Sequence, residues 1–352
     1  MNKHALGFLK QLLITPSPSG DEATVSRIWR DEAQSFADHV SADVRGNSFA
    51  VLNGGVPKVL LAGHIDEIGV MISYIDDDGF LSFSGVGGWD TQVLVGQRVR
   101  LLGKEGDIFG VIGKKPIHLM EANDREKASK IENLWIDIGV KNREEAEALV
   151  RVGTVGVVNA GVQELPNERW VSRGHDDRIG AFTVLEALRL LAKKRPEATV
   201  AAVATCQEEI TMAGAKTSAF SFDPQVAIAV DVTFTTDHPD SNKKQDGDVK
   251  LGGGPVLSRG AANSPVIFEM LSEIAEREKI PYSVQITPRR TGTDADMIHT
   301  SRGGVATGVV SIPCRYLHSP NEMIELTDVE NAVKLICAFI HSLTPDMDFI
   351  PR

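Results

Sequence analysis

Ala204-Thr205-Cys206-Gln207-Glu208-Glu209-Ile210 is the stretch on which the reading of this chain turns. It ends the apolar run 200–204, which has the length and composition of a buried strand. Two neighbouring carboxylates at the end of a buried strand are costly. Each raises the pKa of the other, and desolvation adds to the effect. Such a pair is stable where a cation lies close by, or where one member keeps a proton. A solvated Glu-Glu pair at the start of a loop explains the dipeptide equally well in isolation. The deciding information lies outside it.

Working outward, other chemistry-bearing residues recur in the same setting. The apolar run 59–63 predicts a buried strand and delivers His64-Ile65-Asp66-Glu67-Ile68-Gly69. A strand over 226–230 ends at Asp231, and one over 306–312 leads to Arg315-Tyr316-Leu317-His318-Ser319-Pro320. A lone His after a strand is usually a satisfied loop residue, and a lone Asp there is usually a turn or cap. His64, Glu208, Glu209, Asp231 and His318 all brought to one sheet edge are harder to explain that way. The C-terminal edge of an open α/β sheet is where ligands collect. Asp176 is a further candidate, although its position before a helix also suits a simple cap.

The remaining sequence sets the frame. At 352 residues two domains are expected. Helices are predicted over 4–13, 21–37, the stretch after Gly180, and 265–279. A last helix is predicted to open with a capping box, Thr327-Asp328-Val329-Glu330, and to bury Val329, Val333, Ile336 and Ile340. Between residues 70 and 165 the texture changes to short strands punctuated by turns, with one helix over 143–150. This predicts a small β-rich insert, a barrel or sandwich, within an α/β domain formed by 1–69 and 166–352. The charged stretch 120–132 predicts a long loop, and a polar loop is expected over 237–248.

Composition excludes several classes. The net charge of −11 argues against a nucleic-acid partner. No run is apolar enough to span a membrane, and the N-terminus reads as an amphipathic helix rather than a signal peptide. Cys206, Cys314 and Cys337 cannot all pair and lack metal-binding spacing, so they read as buried thiols in a reducing, cytoplasmic setting. Cys206 as a nucleophile has no His near it in sequence.

Imidazole and carboxylate donors without thiolate suit zinc, with manganese or cobalt as alternatives. Two divalent ions balance Asp176, Glu209, Asp231 and one hydroxide. A two-metal site brings the pKa of a shared water towards ~7. Asp66 is placed to orient the imidazole of His64. Glu208 then remains free to act as general base and acid.

These motifs, with Gly87-Gly88-Trp89-Asp90, Gly113-Lys114-Lys115-Pro116-Ile117-His118, Asp176-Asp177-Arg178 and Gly292-Thr293-Asp294-Ala295, run nearly end to end. Together they resemble metallopeptidase family 42, the tetrahedral aminopeptidases that include glutamyl and deblocking enzymes. The resemblance implies a mixed-sheet α/β di-metal aminopeptidase acting on peptides. It implies one metal ion held by His64 and Asp231, another by Glu209 and His318, and Asp176 shared. Glu208 would be the catalytic acid/base, and Asp66 would support His64. It further implies a cis Asp176–Asp177 bond and a homo-oligomer, a dodecamer built from dimers through the β-rich insert. The 120–132 loop would then reach towards a neighbouring active site. Two departures stand out: His175 where an apolar residue is expected, and Asp296-Met297 near the specificity pocket. Two rival readings are a glycosidase using Glu208 and Glu209 as its acid pair and a non-catalytic peptide-binding scaffold. The first leaves both histidines idle and needs carboxylates on opposite sides of a sugar; the second leaves a complete ligand set unexplained.

Overall fold

The computed structural model describes residues 1–125 and 127–352, and of Asp124 the backbone. Its centre is an eight-stranded mixed sheet in the order His39–Ala42, Ser48–Leu52, Ala198–Thr205, Gly55–His64, Val226–Phe234, Ala306–Cys314, Val256–Gly260, Ser283–Thr287. The four middle strands run parallel. They are near-continuous apolar runs because helices cover the sheet and leave no solvated face. Ser48–Leu52 and Val256–Gly260 flank them in antiparallel pairing. The fold is the mixed-sheet α/β fold expected from the sequence.

The main core lies between this sheet and the helices Lys3–Ile14, Ala23–Ala33, His175–Lys193 and Leu326–Ser342. The last helix buries Val329, Val333, Ile336 and Ile340, as its spacing predicts. Each contributes roughly 1.5–3 kcal/mol of apolar burial. Trp29 is fully buried and donates its indole N–H to the Ala181 carbonyl at 2.8 Å, locking the Ala23–Ala33 helix onto the His175–Lys193 helix.

Three local expectations are corrected. The last helix starts at Leu326 with Glu325 at its N-cap position, so Thr327 lies inside the helix and the capping box does not form. Asp328 instead accepts the Gly252 and Gly254 N–H groups, and Glu330 pairs with the N-terminal amine. The helix predicted over 21–37 runs only from Ala23 to Ala33 and is followed by a turn in which Phe36 and Ala37 share the Ala33 carbonyl. The strand predicted to end before Asp231 continues to Phe234, since the Ala306–Cys314 strand goes on pairing with it.

A closed six-stranded barrel interrupts the α/β body. It joins Gly69–Ile75, Leu81–Val86, Trp135–Asp137, Gly106–Gly113, Arg98–Gly103 and Val155–Val158. The barrel has its own apolar core, including Val70, Ile72, Leu81, Val99, Leu101 and Ile136. Closure removes the sheet edges that so small a unit would otherwise expose. Gln163–Leu165 lies outside the barrel and pairs with Arg169–Ser172, which in turn pairs with Glu322–Glu325. Within the stretch predicted as a long loop, Ala122–Arg125 forms a helical turn and Ile131–Asn133 a 3-10 turn. Glu126 lies outside the described residues.

Candidate active site

The parallel strands bring the candidates together. Gly55–His64 pairs with Ala198–Thr205 as far as His64 opposite Thr205, so His64 and the Glu208-Glu209 pair leave the sheet side by side. Gly55–His64 stops pairing with Val226–Phe234 at Ala62 opposite Ala229. Asp231 therefore sits two residues beyond the last pair, within the strand and buried, lining the cavity at that edge. His318 follows the Ala306–Cys314 strand. Asp176 enters at the start of the His175–Lys193 helix, through an Asp176–Asp177 peptide bond that is cis.

Close backbone approach lets that helix start reach the sheet edge. A Cβ on Gly63 would lie 2.4 Å from the Gly180 carbonyl carbon, so only glycine fits there. With the backbones this close, Asp177 accepts the His64 N–H at 3.1 Å and the Gly180 N–H at 3.0 Å. Behind them Glu67, fully buried, pairs with Arg173 and Arg178. Arg178 also donates to the Leu12 and Leu13 carbonyls and so ties the first helix to the site.

Two clusters of donor atoms result. Ligand atoms of His64, Asp176 and Asp231 lie within 4.8 Å of one another, as do those of Asp176, Glu209 and His318. Asp176 belongs to both. Its Oδ1 is 3.1 Å from His64 Nε2 and its Oδ2 is 3.2 Å from His318 Nε2. Glu209 Oε2 is 3.4 Å from His318 Nε2. Asp66 lies behind His64, with its carboxylate 3.4 Å and its main-chain oxygen 3.2 Å from Nδ1. The same carboxylate accepts the Glu208 and Glu209 N–H groups at 3.1 and 3.2 Å. Glu208 stands apart from both clusters, its Oε2 3.7 Å from His64 Nε2.

The electrostatics of this group are those of a cation site. Burial, reinforced by neighbouring carboxylates, pushes Glu208 and Asp231 well above the usual range and Glu209 up to about 8. Hydrogen bonding to Asp176, opposed by burial, raises His318 to about 9. Burial works against the charged form of Asp176, but its two imidazole partners hold its pKa below the ordinary value. Glu208 Oε1 and Glu209 Oε1 are buried without a hydrogen-bond partner among the described residues. Orphaned buried carboxylate oxygens are expensive unless something outside the polypeptide satisfies them. Divalent ions do this, and imidazole with carboxylate is a donor set they accept. The residues present therefore fit a metal centre.

A cavity of about 580 Å³ opens onto these residues, within the usual size for a small-molecule site. Its outer wall includes Ile210, Phe234, Gln285, Arg290 and Met297. Met297 thus lines the cavity directly. Asp296 accepts from the Thr291 and Gly292 N–H groups and shapes the loop beside it. The other departure, His175, is fully buried; burial pulls its pKa down to about 3 and keeps the ring neutral. It packs as a core side chain.

The sequence match settles the family. The M42 glutamyl aminopeptidase model matches residues 46–335. The chain belongs to that family. A lysyl aminopeptidase from Pyrococcus furiosus is 38% identical over 347 residues, covering 98% of this chain and 99% of its own. A TET aminopeptidase from the marine sediment archaeon Thaumarchaeota archaeon SCGC AB-539-E09 is 34% identical, with a TM-score of 0.93 over 97% of this chain and 96% of that one. The TET1 peptidase of Pyrococcus horikoshii, whose structure forms a tetrahedron or a large octahedral shell, is 34% identical, with a TM-score of 0.86 over 96% of this chain and all of that one. The protein is accordingly an aminopeptidase, a peptide-bond hydrolase of a metal-dependent family. No helix among its described residues is long and apolar enough to cross a membrane.

Other residues of this aminopeptidase site escape a reading by residue type. Gly88, two residues past the barrel strand Leu81–Val86, offers its carbonyl to His318 Nδ1 at 2.8 Å. Asp294 accepts from the Thr205 hydroxyl, and burial raises its pKa to about 6. Glu322 accepts the Asp176 and His318 N–H groups. Gly88 and Asp294 both stood inside motifs quoted above, so a signal was present for each, although the use of the Gly88 carbonyl was not readable from it. Glu322 acts through distant backbone and leaves no spacing to read. The three cysteines are free, Cys337 only half-buried, and burial pushes the Cys206 thiol up to about 12, which removes it as a nucleophile.

Proposed function

We propose that this aminopeptidase works through two divalent metal ions. His64 and Asp231 would hold one, Glu209 and His318 the other, and Asp176 would bridge them. The observation that carries this reading is the pair of three-donor clusters sharing Asp176 alone. Zinc suits the donors, with cobalt or manganese as alternatives. Such a pair of ions, when bound, supplies an acidified water near neutral pH and charge stabilisation for the scissile carbonyl.

Glu208 supplies the proton chemistry. It lies beside the clusters without belonging to either, and burial raises its pKa above the usual carboxylate range, which favours a group able to hold a proton. It would accept the proton of the attacking water and return it to the departing amine. Asp66 would hold His64 from its far side and fix the Glu208-Glu209 backbone through both N–H groups. The cavity beside Glu208 would take the N-terminal residue of the peptide.

We propose a division into a catalytic unit, 1–69 with 166–352, and a dimerisation unit, 70–165, in a cytoplasmic homo-oligomer, a dodecamer built from dimers. The shell-forming Pyrococcus horikoshii relative supports this, as do the exposed Phe109 and Val111 on one barrel strand. A panel of aminoacyl chromogenic substrates, with and without chelator and with several divalent ions added back, tests the chemistry. Hydrolysis of these substrates that survives complete chelation overturns the two-metal reading. Light scattering tests the assembly, and a monomeric mass at micromolar concentration refutes it.

A further inference from the structure

Glu322 opens the strand Glu322–Glu325, which pairs antiparallel with Arg169–Ser172 and places Glu322 opposite Ser172. His318 lies four residues before Glu322, and Asp176 four residues after Ser172. The paired ends of these two strands therefore run out to two donors of the same centre. Glu322 sits between them, 2% exposed. Its Oε2 accepts the Asp176 N–H and its Oε1 accepts the His318 N–H, each at 3.1 Å.

A buried carboxylate here is costly. Burial, with the Asp176 charge, pushes its pKa well above the usual range. The two N–H groups favour a group with two acceptor oxygens. A Gln side chain has one acceptor and would turn an NH2 donor towards one of the two N–H groups. The position at stake is delicate. His318 has φ of 57°, in the left-handed region that side-chain-bearing residues seldom occupy. It is also the more exposed imidazole, in a segment joining two strands. Asp66 repeats the arrangement on the other side of the site, accepting the N–H groups of Glu208 and Glu209.

We infer that Glu322 is a positioning residue: by holding the backbones of Asp176 and His318 at a fixed separation, it sets the affinity of the Asp176–Glu209–His318 site for its metal ion. The inference rests on the two-metal reading above. Glu322 touches neither metal nor substrate, and acts by keeping two ligands in register. Residues that fix the position of metal ligands through hydrogen bonds typically change affinity 10–100-fold when lost.

The test uses the full chain, stripped of metal and titrated with Zn²⁺ or Co²⁺. Stoichiometry is read by elemental analysis after dialysis, affinity by calorimetry, and fold by apoprotein Tm. Wild type should bind about two ions. Glu322→Gln should keep its apoprotein Tm within a few degrees, hold one ion as wild type does, and bind the other roughly 10–100-fold more weakly. Its kcat should recover towards wild type in excess metal, with KM little changed. Glu322→Asp keeps the charge but is one carbon shorter and cannot span both N–H groups, so it should show the same selective loss. Wild-type affinity for both ions in either folded variant overturns the inference. So does unfolding of both apoproteins, which makes Glu322 a packing residue. A wild type that binds a single ion or none fails the two-metal reading first, and the inference falls with it.

Discussion

Replacing Glu208 by Gln separates proton transfer from metal binding. The Glu208 side chain makes no close hydrogen bond within the described protein: Oε1 has no partner and Oε2 stands 3.7 Å from His64 Nε2. Its backbone is held independently, by Asp66. Gln is near-isosteric, so the substitution breaks no protein contact and removes a buried charge that burial disfavours. The apoprotein Tm should therefore not fall appreciably, because a charge is removed and no protein hydrogen bond is broken. The catalytic cost should be large. General acid–base transfer is worth roughly 10²–10⁴-fold, or about 3–5 kcal/mol in the barrier. The loss should fall on kcat with KM little changed, because the missing interaction is made in the transition state. Steady-state kinetics beside elemental analysis and thermal melting reads all three quantities. Glu209→Gln and His318→Ala serve as contrasts and should lose metal as well as activity. A Glu208→Gln protein with near-wild-type turnover removes Glu208 from the mechanism, and one that has lost metal makes Glu208 a ligand.

The remaining predictions follow from the same geometry. Gly63→Ala would drive a methyl into the backbone of Gly180, so it should cost at least ~1–3 kcal/mol by overpacking and lower activity by displacing Asp177 and His64; an unchanged Tm refutes the close-approach account. A trace protease should cut first within 120–132, a stretch rich in charge and poor in apolar residues, and cutting should alter substrate preference more than metal content; first cleavage elsewhere refutes this. The apoprotein should lose stability as pH rises from about 6 to about 9. Glu209, raised to about 8, disfavours the folded state as it deprotonates, and the contribution of protonated His318 is lost through about 9. Both effects have one sign, so a flat apoprotein Tm over that range contradicts the electrostatic description.

How much of this site was legible in the sequence depends on how each residue acts. His64, Glu208 and Glu209 could be read because they sit where apolar runs stop, and a parallel sheet delivers strand ends to one edge. Asp231 was found by the same rule although the rule misplaced it: the strand runs on to Phe234, and its pairing with the Gly55–His64 strand ends before it reaches Asp231. The rule works because buried runs of β-branched and small apolar residues carry their own signature. The capping box failed because a local pattern competes with tertiary partners. Asp328 is drawn to the Gly252 and Gly254 N–H groups, and the helix starts one residue before Thr327. The use of the Gly88 carbonyl and the role of Glu322 lie beyond the strand-end rule. The Gly88 carbonyl meets a ring 230 positions away, and Glu322 meets a backbone N–H 146 positions away. Such contacts depend on where the barrel and the three-stranded sheet dock, which no periodicity records. The segment after the barrel strand Leu81–Val86 thus reaches the active site through the Gly88 carbonyl on the ring of His318. A change in how the barrel packs against the α/β body has a direct route to that ring.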